Sequence, residues 1–547
     1  MTFEIPGNQR AVQLVGPDTL RLNAEKPIVP PGRRQILCRV EAVGLCFSDL
    51  KLLKQFSQHV RKSRITAGID DEALSEIPSY MPGEAPTVPG HEAVVRVWAV
   101  GEGVDRHRPG ERYLVQTDYR WLRTAAANAA FGYNFEGALQ EFVLMDERVI
   151  TSPEGESMLI PASEDLSASA IALVEPWACV EDAYASRDRR SVKSGGRALL
   201  VHDADIPELL ILKQRDRQGR DSTVKVVKPA DLGSAAGTYD DVIYLGASAD
   251  VIEALFPKLA PGGLLNIVLC GKPISRPVAT PVGQVHYGGI RIVGTTGCDP
   301  ADAMKTIPHS GEVRSGDMLN VVGAAGPMGV MHVVRDVCTG LPNLTILAGD
   351  LDGERLAALS RIALPLAAKN GISFATYDAR GDVRHGSPSY TLVMVPLPGL
   401  VAEAVNRSAD HGIINIFAGI PTDVHVEIDL NAYIERKLYF IGTSGSTLED
   451  MKAVLAKVEG GALDTNLSVA AVCDLDGALD GMRAIEQRRV SGKIMVYPSC
   501  RGLGLVRLGE MGERLPDVAK LPDVAKLLDR GMWTREAEQA LLRTHGG

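Results

Sequence analysis

The sequence lacks the features that mark membrane, secreted and nucleic-acid-binding proteins. None of its apolar runs reaches the roughly 18 residues that a membrane-spanning helix needs. The opening MTFEIPGNQR has neither the basic start nor the apolar segment of a signal peptide. The net charge of −10 argues against nucleic acid or an anionic membrane as the main partner, because both attract basic surfaces. We therefore expect a cytoplasmic protein that acts on a small molecule.

The sequence also lacks paired cysteines. Its eight cysteines are scattered, and no two of them form a Cys-x-x-Cys pair. A disulfide framework is therefore not expected in a reducing compartment.

What is present is a long chain with the composition of a globular protein. Its 547 residues exceed one ordinary domain, and three compact units are a reasonable expectation. The apolar fraction of 45% and the charged fraction of 23% are typical of folded proteins that bury large cores.

Two strand patterns predict an α/β fold with more than one domain. Residues 92–150 alternate apolar and polar positions in VVRVWAV, RYLV and QEFVLM, which is typical of a half-buried, mostly β domain. Later, apolar strands such as DVIYL, LLNIVL, LNVVG and INIFAG alternate with helical patterns. Such strands are buried on both faces and indicate parallel doubly wound sheets.

Two short segments carry possible metal ligands. VEAVGLCFSDLK delivers Cys46, Ser48 and Asp49 within four residues, and VPGHEAV places His91 and Glu92 after a Pro-Gly turn. Thiolate, imidazole and carboxylate suit catalytic zinc, which needs three protein ligands and an open position. Taken alone, the cysteine could equally be a buried residue in a strand-to-helix turn.

These segments resemble a known family. From QILCRVEAVGLCFSDL through PGHEAVVRVWAVGEGVDRHRPGERYLV to FEGALQEFVL, the order is similar to the catalytic domain of zinc-containing medium-chain alcohol and polyol dehydrogenases. The similarity covers most of residues 10–190, resumes in VKSGGRALLV and VRSGDMLNVVGAAGPMG, and closes with SGKIMVYP. It implies a barrel-like, mostly β catalytic domain that is combined with Rossmann-type domains.

The resemblance also implies roles for single residues. Ser48 corresponds to the Ser or Thr that takes the proton from the substrate hydroxyl, although a helix cap is a second possibility. Glu175, in IALVEPWACVEDAYAS, matches a glutamate that lies at the zinc in polyol-type relatives, as a ligand or through the bound water or substrate. A helix-start carboxylate is the alternative there. We expect Asp49 to accept the outer N–H of His91, and either Glu92 or Glu175 to complete the zinc site.

One zinc ion per chain is expected. Many relatives hold a second, structural zinc with four closely spaced cysteines after the His-Glu pair. Residues 93–145 of this chain contain no cysteine, so we predict the catalytic zinc and no structural zinc.

The second half of the sequence is duplicated. GTYDDVIYLGASADVIEALFPKLAPGGLLNIVLCG and SYTLVMVPLPGLVAEAVNRSADHGIINIFAGIP share one rhythm of strand, helix and strand. The later copy has a glycine turn in VVGAAGPMG, which suits a pyrophosphate at a helix N-terminus, with an ordinary tight turn as the alternative. An aspartate follows at the end of the next strand and favours NAD over NADP. The predicted cofactor-binding residues are Gly323, Gly326, Pro327, Met328, Gly329, Asp350 and Arg355.

The earlier copy lacks that turn. VHDADIPELLILKQRD places Asp203 and Asp205 where glycines would be needed, and these carboxylates would repel a phosphate. We expect residues 191–304 to have lost cofactor binding and to serve packing, subunit contact or substrate enclosure.

Two further segments depart from the family pattern. Residues 51–89 are longer than in most relatives and predict a solvated excursion with one or two helical turns beside the active-site mouth. This segment either shapes the substrate pocket or is inert. The tail repeats LPDVAK in residues 515–526, which predicts an extended helical surface without chemistry.

Together these patterns predict a domain order. Residues 1–190 form the zinc catalytic domain, which is completed by about residues 481–500. Residues 191–304 form a degenerate Rossmann-type domain, residues 305–480 an NAD-binding Rossmann domain, and residues 501–547 a tail.

The expected function is a zinc-dependent transfer of a hydride between NAD and a secondary alcohol or ketone. Polar residues near the cleft-forming segments, Tyr119, Arg120 and Asn134, favour a polyol, sugar or sugar phosphate. Because the relatives form dimers and tetramers, a homodimer or homotetramer is expected. One alternative is an epimerase or lyase that keeps NAD tightly bound for transient oxidation. Another is a non-catalytic scaffold protein, against which the intact metal-binding segments argue.

Overall fold

The computed structural model describes residues 4–208, 223–381, 386–443, 445–519 and 532–546. The chain divides into two compact units, one of Met1–Ala178 with Ser446–Gly547 and one of Cys179–Gly445. In the described part of the chain, no helix combines the length and apolar character that crossing a bilayer requires.

The first unit begins with short strands joined by short helices. Its strands are β1 Asn8–Gly16, β2 Thr19–Pro27, β3 Gln35–Leu45, β4 Ile65–Ala67, β5 Glu92–Val100, β6 Arg112–Val115, β7 Asp118–Thr124, β8 Asn128–Ala130, β9 Phe142–Asp146 and β10 Leu159–Pro161. Its helices are α1 Phe47–Gln55, α2 Asp71–Ser75, α3 Glu147–Ile150, α4 Ala168–Ala172 and α5 Val174–Asp182, with 3-10 turns at Phe56–Gln58 and Val60–Lys62.

The second unit alternates strands and helices. Its strands are β11 Arg197–His202, β12 Thr223–Val227, β13 Tyr239–Leu245, β14 Leu259–Val268, β15 Val278–Thr280, β16 Arg291–Thr295, β17 Met318–Val322, β18 Thr345–Asp350, β19 Ser373–Asp378, β20 Tyr390–Val393, β21 Ile413–Ile416, β22 Val426–Ile428 and β23 Tyr439–Ile441. Its helices are α6 Ala249–Leu255, α7 Gly283–Tyr287, α8 Pro300–Met304, α9 Pro327–Cys338, α10 Gly353–Asn370, α11 Pro398–Arg407 and α12 Leu430–Glu435, with 3-10 turns at Pro229–Ser234 and Phe256–Lys258.

The first unit then resumes with strands and helices from the end of the chain. The strands are β24 Val469–Cys473, β25 Lys493–Val496 and β26 Val506–Arg507. The helices are α13 Leu448–Glu459, α14 Ala478–Glu486, α15 Met511–Arg514, α16 Pro516–Ala519 and α17 Arg535–His545, with 3-10 turns at Thr465–Ser468 and Leu508–Glu510.

A mixed sheet of eight strands is the frame of the first unit. Its order is β10-β6-β5-β3-β25-β24-β26, and β9 also pairs with β3. The strand β5, rich in valine, packs its side chains into the main core of this unit. The mostly β fold predicted from the alternating pattern is therefore confirmed.

The second unit contains two parallel sheets, as the duplicated pattern predicted. The later sheet has the order β19-β18-β17-β20-β21-β23, the strand order of dinucleotide-binding folds. The earlier sheet has the order β12-β11-β13-β14-β16 and so has one edge strand fewer. The side chains of β13, β14, β20 and β21 are almost all buried, as expected for strands covered on both faces.

The two parallel sheets pack on each other through corresponding elements. β15 of the earlier copy pairs antiparallel with β22, which has the same place in the later copy, and the two strands form a small sheet of their own. The edge strands β16 and β23 contact each other, and α7 contacts β23 just as α12 contacts β16. Apolar side chains of both sheets form one core. Each copy thus presents the same elements to the other, as in an isologous interface between two identical subunits.

The C-terminal part of the chain lies in the first unit. Residues 446–480, which the sequence assigned to the last Rossmann domain, fall in the first unit, because β24 pairs with β25 and β26 of its mixed sheet. The tail is anchored there as well, since Trp533 is fully buried and the buried Glu538 accepts hydrogen bonds from the backbone of α4. The second LPDVAK repeat lies outside the described residues.

The segment 51–89 is more ordered and more buried than its charged composition predicts. Its strand β4 joins β7 and β8 in a small antiparallel sheet. Lys62 is fully buried and donates hydrogen bonds of 2.7 Å to the carbonyl oxygens of Met81 and Ala85. These bonds compensate the desolvated ammonium group and hold both halves of the segment together. The segment contains the predicted helical turns and exposes many of its residues, but its apolar side chains pack into the core of the first unit, so it is not a wholly solvated excursion.

Candidate metal centre and glycine turn

The local fold places the predicted metal ligands side by side. β3 ends at Leu45, and Cys46 occupies the N-cap position of α1. In the antiparallel pair of β3 and β5, Gly44 lies opposite Glu92. A Cβ atom at Gly44 would come within 2.2 Å of Glu92 Oε2. Glycine is thus needed at this position so that the carboxylate can lie beside the cysteine.

Three donor atoms converge at this point. One ligand atom each of Cys46, His91 and Glu92 lies within 4.8 Å of the others, and the described residues contain no second group of this kind. Donors that share one tetrahedral zinc ion lie roughly 3.5 Å apart, given zinc–ligand bonds of about 2.0–2.3 Å. Sulfur, nitrogen and oxygen donors together also match the preference of zinc. The residues present therefore fit this ion after a small contraction.

Asp49 orients the imidazole of His91. Its Oδ1 lies 3.0 Å from His91 Nδ1, and its Oδ2 accepts the Cys46 backbone N–H at 2.9 Å. Burial raises the pKa of Asp49, but the His91 imidazole, the Cys46 backbone N–H and the charge of Lys493 together lower it by more, so the net shift is downward. Burial lowers the pKa of His91, and Asp49 raises it well above its ordinary value. With Nδ1 held by the carboxylate, Nε2 is the nitrogen left for a metal ion.

Glu92 has one oxygen paired and one oxygen unpaired. Lys493, the first residue of β25, donates a short hydrogen bond to Glu92 Oε1, and both side chains are buried. Glu92 Oε2 is buried without a hydrogen-bond partner in the described structure. An unpaired buried carboxylate oxygen is costly in a protein interior, and a bound cation would satisfy it.

Lys493 is a site residue that sequence reasoning missed. Burial lowers the pKa of Lys493, but Glu92, Cys46 and Glu175 raise it by more, so the ammonium group stays charged. Its only signal in the sequence was its place in SGKIMVYP, the phrase that closes the family resemblance.

Glu175 lies beside the same group of charges. It is in the first turn of α5 with 8% of its surface exposed, and no hydrogen bond or ion pair holds its carboxyl group among the described residues. Burial raises the pKa of Glu175 to about 7, although His91 and Lys493 oppose this shift. A buried carboxyl group without a partner is suited to a metal ion, its bound water or a substrate hydroxyl.

Ser48 lies near the cysteine sulfur. Its Oγ is 3.6 Å from Cys46 Sγ, and its side chain is partly exposed. The N-cap of α1 is Cys46, so the serine does not cap this helix. Its hydroxyl therefore remains available to a bound substrate.

Two of the polar residues that favoured a polyol have structural roles instead. Tyr119 is buried against Trp121 and Phe135. Asn134 is fully buried and bonds the backbone of Ala130 and Ser63.

Arg120 of the same group also has a backbone partner. Its guanidinium donates a hydrogen bond of 2.5 Å to the carbonyl oxygen of Ser446. The sequence prediction that these three residues read substrate polarity is therefore corrected for the two buried side chains, Tyr119 and Asn134.

The glycine turn lies between β17 and α9 of the later parallel sheet. Gly323 has a φ of +85°, which favours glycine, and a Cβ at Gly329 would lie 2.6 Å from two backbone carbonyl oxygens. At Gly326 a Cβ would meet nothing closer than 3.9 Å. Pro327 and Met328 open the helix that follows, so its free backbone N–H groups face the turn. This arrangement lets a pyrophosphate approach the backbone at the helix N-terminus.

Asp350 closes the turn from the neighbouring strand. Its Oδ2 accepts the Ala325 backbone N–H at 3.0 Å, and its Oδ1 accepts the N–H groups of Leu351 and Asp352. Arg355 lies on the first turn of α10, 3.5 Å from Asp352. The later sheet thus brings the predicted cofactor residues to one edge.

The matching edge of the earlier sheet is filled by side chains. Asp203 Oδ1 accepts a 2.8 Å hydrogen bond from the hydroxyl of Tyr244, and Asp205 pairs with Lys272. A Cβ at Gly246 would collide with Asp203 and Tyr244. This packing supports the prediction that the earlier copy does not hold a dinucleotide there.

Comparisons with known proteins agree with this description. The family model of the alcohol dehydrogenase GroES-like domain matches residues 32–154. The chain is 25% identical over 253 residues to the protein YggP of Escherichia coli, an alignment that covers 44% of this chain and 59% of that protein. It is 30% identical over 153 residues to L-sorbose 1-phosphate reductase of Klebsiella pneumoniae, covering 27% of this chain and 35% of the reductase.

Two longer similarities complete the comparison. Mannitol-1-phosphate 5-dehydrogenase of Aliivibrio fischeri is 26% identical over 402 residues, which covers 63% of this chain and 89% of that enzyme. The crystal structure of 2R,3R-butanediol dehydrogenase from Bacillus subtilis superimposes with a TM-score of 0.51 at 15% identity, covering 90% of this chain and 99% of that one. At this identity the structural match shows the fold alone. These matches and the fold of the chain support its resemblance to the medium-chain dehydrogenase family.

Proposed function

We propose that this protein is a zinc- and NAD-dependent oxidoreductase of polyols, sugars or sugar phosphates. It would transfer a hydride between the nicotinamide and a secondary alcohol or the corresponding ketone. The observation that carries the proposal is the convergence of Cys46, His91 and Glu92, with an unpaired carboxylate oxygen, beside the partnerless Glu175. Scaffold proteins have no use for such a costly group.

Each residue of the centre has a distinct part in this chemistry. Cys46, His91 and either Glu92 or Glu175 would hold the zinc ion, which acts as a Lewis acid and lowers the pKa of a substrate hydroxyl when bound. Ser48 lies close enough to the cysteine to take the proton of that hydroxyl. Asp49 fixes the tautomer of His91.

Lys493 and Glu175 adjust the charge of the centre. The ammonium group of Lys493 donates a hydrogen bond to Glu92 Oε1 and so holds this carboxylate oxygen toward β25. With a pKa of about 7, Glu175 can exchange a proton near neutral pH. It is therefore suited both to ligation and to hydrogen bonding with a substrate hydroxyl.

The cofactor and substrate classes rest on separate observations. Asp350 at the glycine turn supports NAD, because a carboxylate accepts ribose hydroxyls and repels a 2′-phosphate. The names of two relatives, a sorbose 1-phosphate reductase and a mannitol-1-phosphate dehydrogenase, support a sugar or polyol phosphate. Cytoplasmic location, oligomeric state and the three-domain division stay predictions from the sequence.

Metal analysis and turnover test the proposal directly. Purified protein should contain about one zinc per chain, and zinc-replete enzyme with NAD should form NADH from a panel of polyols and their phosphates. Cys46→Ser should lose both the zinc and the activity. Cys298→Ser, at an exposed cysteine, is the matched control and should lose neither.

The same assay separates the alternatives. Copurified NAD that converts substrate without net NADH would favour an epimerase or lyase. A protein without zinc, turnover or bound dinucleotide would refute the proposal.

A further inference from the structure

A buried carboxylate of the C-terminal tail joins two elements of the first unit. Glu538, on α17, accepts hydrogen bonds of 2.5 and 2.8 Å from the backbone N–H groups of Ala168 and Ser169. It also accepts a hydrogen bond of 2.8 Å from the hydroxyl of Tyr497, which directly follows β25. Trp533 donates its indole N–H to the same tyrosine oxygen at 3.0 Å. Glu538 therefore connects the start of α4 with the end of β25.

Both connected elements hold parts of the metal centre. β25 begins with Lys493, whose ammonium group bonds Glu92, and it pairs with β3 so that Met495 lies opposite Gly44. The helix α4 contacts β3 and β5. Of these two strands, β3 ends directly before Cys46 and β5 begins at Glu92. A shift of α4 against β25 would therefore move the donors of the centre relative to one another.

A neighbouring turn holds α4 and the start of α5 in the same way. The hydroxyl of Thr465 donates a hydrogen bond of 2.7 Å to the carbonyl oxygen of Ala170 on α4. Trp177 on α5 donates its indole N–H to the hydroxyl of Ser468 at 3.2 Å. This turn leads into β24, which pairs with β25. Because Glu175 lies in the first turn of α5, its place also depends on how α4 and β25 are joined.

The link through Glu538 is buried and uses both carboxylate oxygens. Glu538, Tyr497 and Trp533 are all buried. Oε1 of Glu538 accepts from Ala168, and Oε2 accepts from Ser169 and Tyr497. Hydrogen bonds to a charged group are strong, and more so in a dry interior. The tail therefore restrains α4 and β25 more firmly than an exposed contact could.

We infer that Glu538 is a positioning residue of the metal centre, which acts by holding α4 against the end of β25. This inference rests on the proposed function. Glu538 does not touch the donors. It fixes the elements that place Lys493 against Glu92 and that carry Glu175. The C-terminal tail, which the sequence predicted to have no chemistry, thus has a role in the geometry of the centre.

Metal binding to the folded protein tests the inference. Wild type and Glu538→Gln are titrated with zinc against a chelating indicator, and their cobalt-substituted forms are compared by visible absorption. Loss of an outer partner of a metal site costs about tenfold or more in metal affinity. Glu538→Gln should therefore bind zinc about tenfold more weakly and change the cobalt–thiolate absorption bands. Tyr497→Phe removes only the hydroxyl that links β25 to Glu538. It should give the same result, and it takes the place of Glu538→Gln if that variant does not fold.

Asp146→Asn is the matched control. Asp146 is also a buried carboxylate of the first unit, and it caps the short helix α3 by accepting the Arg148 backbone N–H at 3.0 Å. It lies opposite Gln35, at the end of β3 remote from Cys46. This variant should lose stability but keep the zinc affinity and the cobalt spectrum of wild type. Unchanged zinc affinity and cobalt spectrum in the folded tail variant, or an equal change in Asp146→Asn, would overturn the inference.

A double-mutant cycle in metal-free protein decides the inference even if the proposed function fails. If wild type binds neither zinc nor cobalt, the proposed function is refuted, and urea unfolding is measured for Glu538→Gln, Lys493→Met and the double variant. Tyr497 lies roughly 13 Å from Lys493 along an extended strand. Substitutions more than about 7–10 Å apart normally have additive effects on stability. If the tail positions Lys493, the double variant should lose less stability than the sum of the two single losses, whereas Asp146→Asn with Lys493→Met should be additive. Additive losses in the tail pair, or an equal deviation in the control pair, would refute the inference.

Discussion

Replacing Lys493 should show how much the buried carboxylate of Glu92 lowers the free energy of unfolding when its partner is absent. The lysine is 5% exposed and the glutamate 0%, and among the described residues the hydrogen bond between them is the only one that the Glu92 carboxylate makes. Lys493→Met keeps the approximate volume but leaves Glu92 buried without a counter-ion. Breaking a buried pair from one side costs about 3–5 kcal/mol, so the zinc-free protein should lose about that much free energy of unfolding.

A double variant separates the pair interaction from lost packing. Glu92→Met combined with Lys493→Met removes both charges, and buried pairs replaced by apolar residues are often close to neutral in stability. The double variant should therefore be more stable than Lys493→Met alone. Added zinc should restore part of the loss in Lys493→Met, because Oε2 of Glu92 is free to bind it.

Urea unfolding followed by circular dichroism measures these differences, with and without a chelator. Lys452→Met is the matched control, since that lysine is 43% exposed and its ion pairs are worth about 0–1 kcal/mol. If Lys493→Met unfolds at the same urea concentration as this control, Glu92 is not an unpaired buried charge. The account of the metal centre given above would then be wrong.

Three further predictions concern other parts of the chain. His332 is fully buried, and burial with the charge of Arg335 lowers its pKa to about 3, so its stabilising effect is full above pH 6.5 and is lost as the pH falls toward 3. Between pH 7 and pH 5 the free energy of unfolding should fall by about 2 kcal/mol less in His332→Leu than in wild type, as measured by urea titrations at both pH values. His425→Gln, at the surface, should lose as much free energy of unfolding over this range as wild type. Gly326→Ala should fold normally but bind NADH about tenfold more weakly in a fluorescence titration, because the added methyl group occupies the approach to the glycine turn. Gly353→Ala is the control. Equal NADH affinity in the two variants would exclude a dinucleotide at this turn. Glu538→Gln should lower the free energy of unfolding by about 1.5–3 kcal/mol, because the Glu538 carboxylate accepts hydrogen bonds from Ala168, Ser169 and Tyr497. The exposed Glu536→Gln is the control. A loss of stability in Glu538→Gln no larger than in this control would contradict the anchoring role of Glu538.

The features that the sequence predicted well are those with a local pattern. Apolar strands separated by helical segments led to two parallel sheets, because such strands must be covered on both faces. The glycine turn could be predicted because Gly323 and Gly329 have requirements that only glycine meets. The resemblance to the dehydrogenase family predicted that Cys46 and His91 lie together. The register of the antiparallel strands β3 and β5 brings the two residues into contact.

The features that the sequence did not predict depend on distant partners. Lys493 reaches Glu92 across 401 positions, and a lysine in a strand is normally expected at the surface. Lys62 is buried for the same reason, since two carbonyl groups from a later turn satisfy it. Tyr119 and Asn134 were misread because residue type alone does not show which face of a small sheet is covered.

The reciprocal packing of the two parallel sheets has a consequence for evolution within the chain. In a symmetric pair of subunits, every substitution at the contact occurs twice, and a harmful change is doubled. Here β15 and β22 are separate stretches of one polypeptide, so either side can change alone. One copy could therefore give up its glycine turn while the other kept it. The two edge strands β16 and β23 also contact each other, so each sheet places one of its edges against its sister copy.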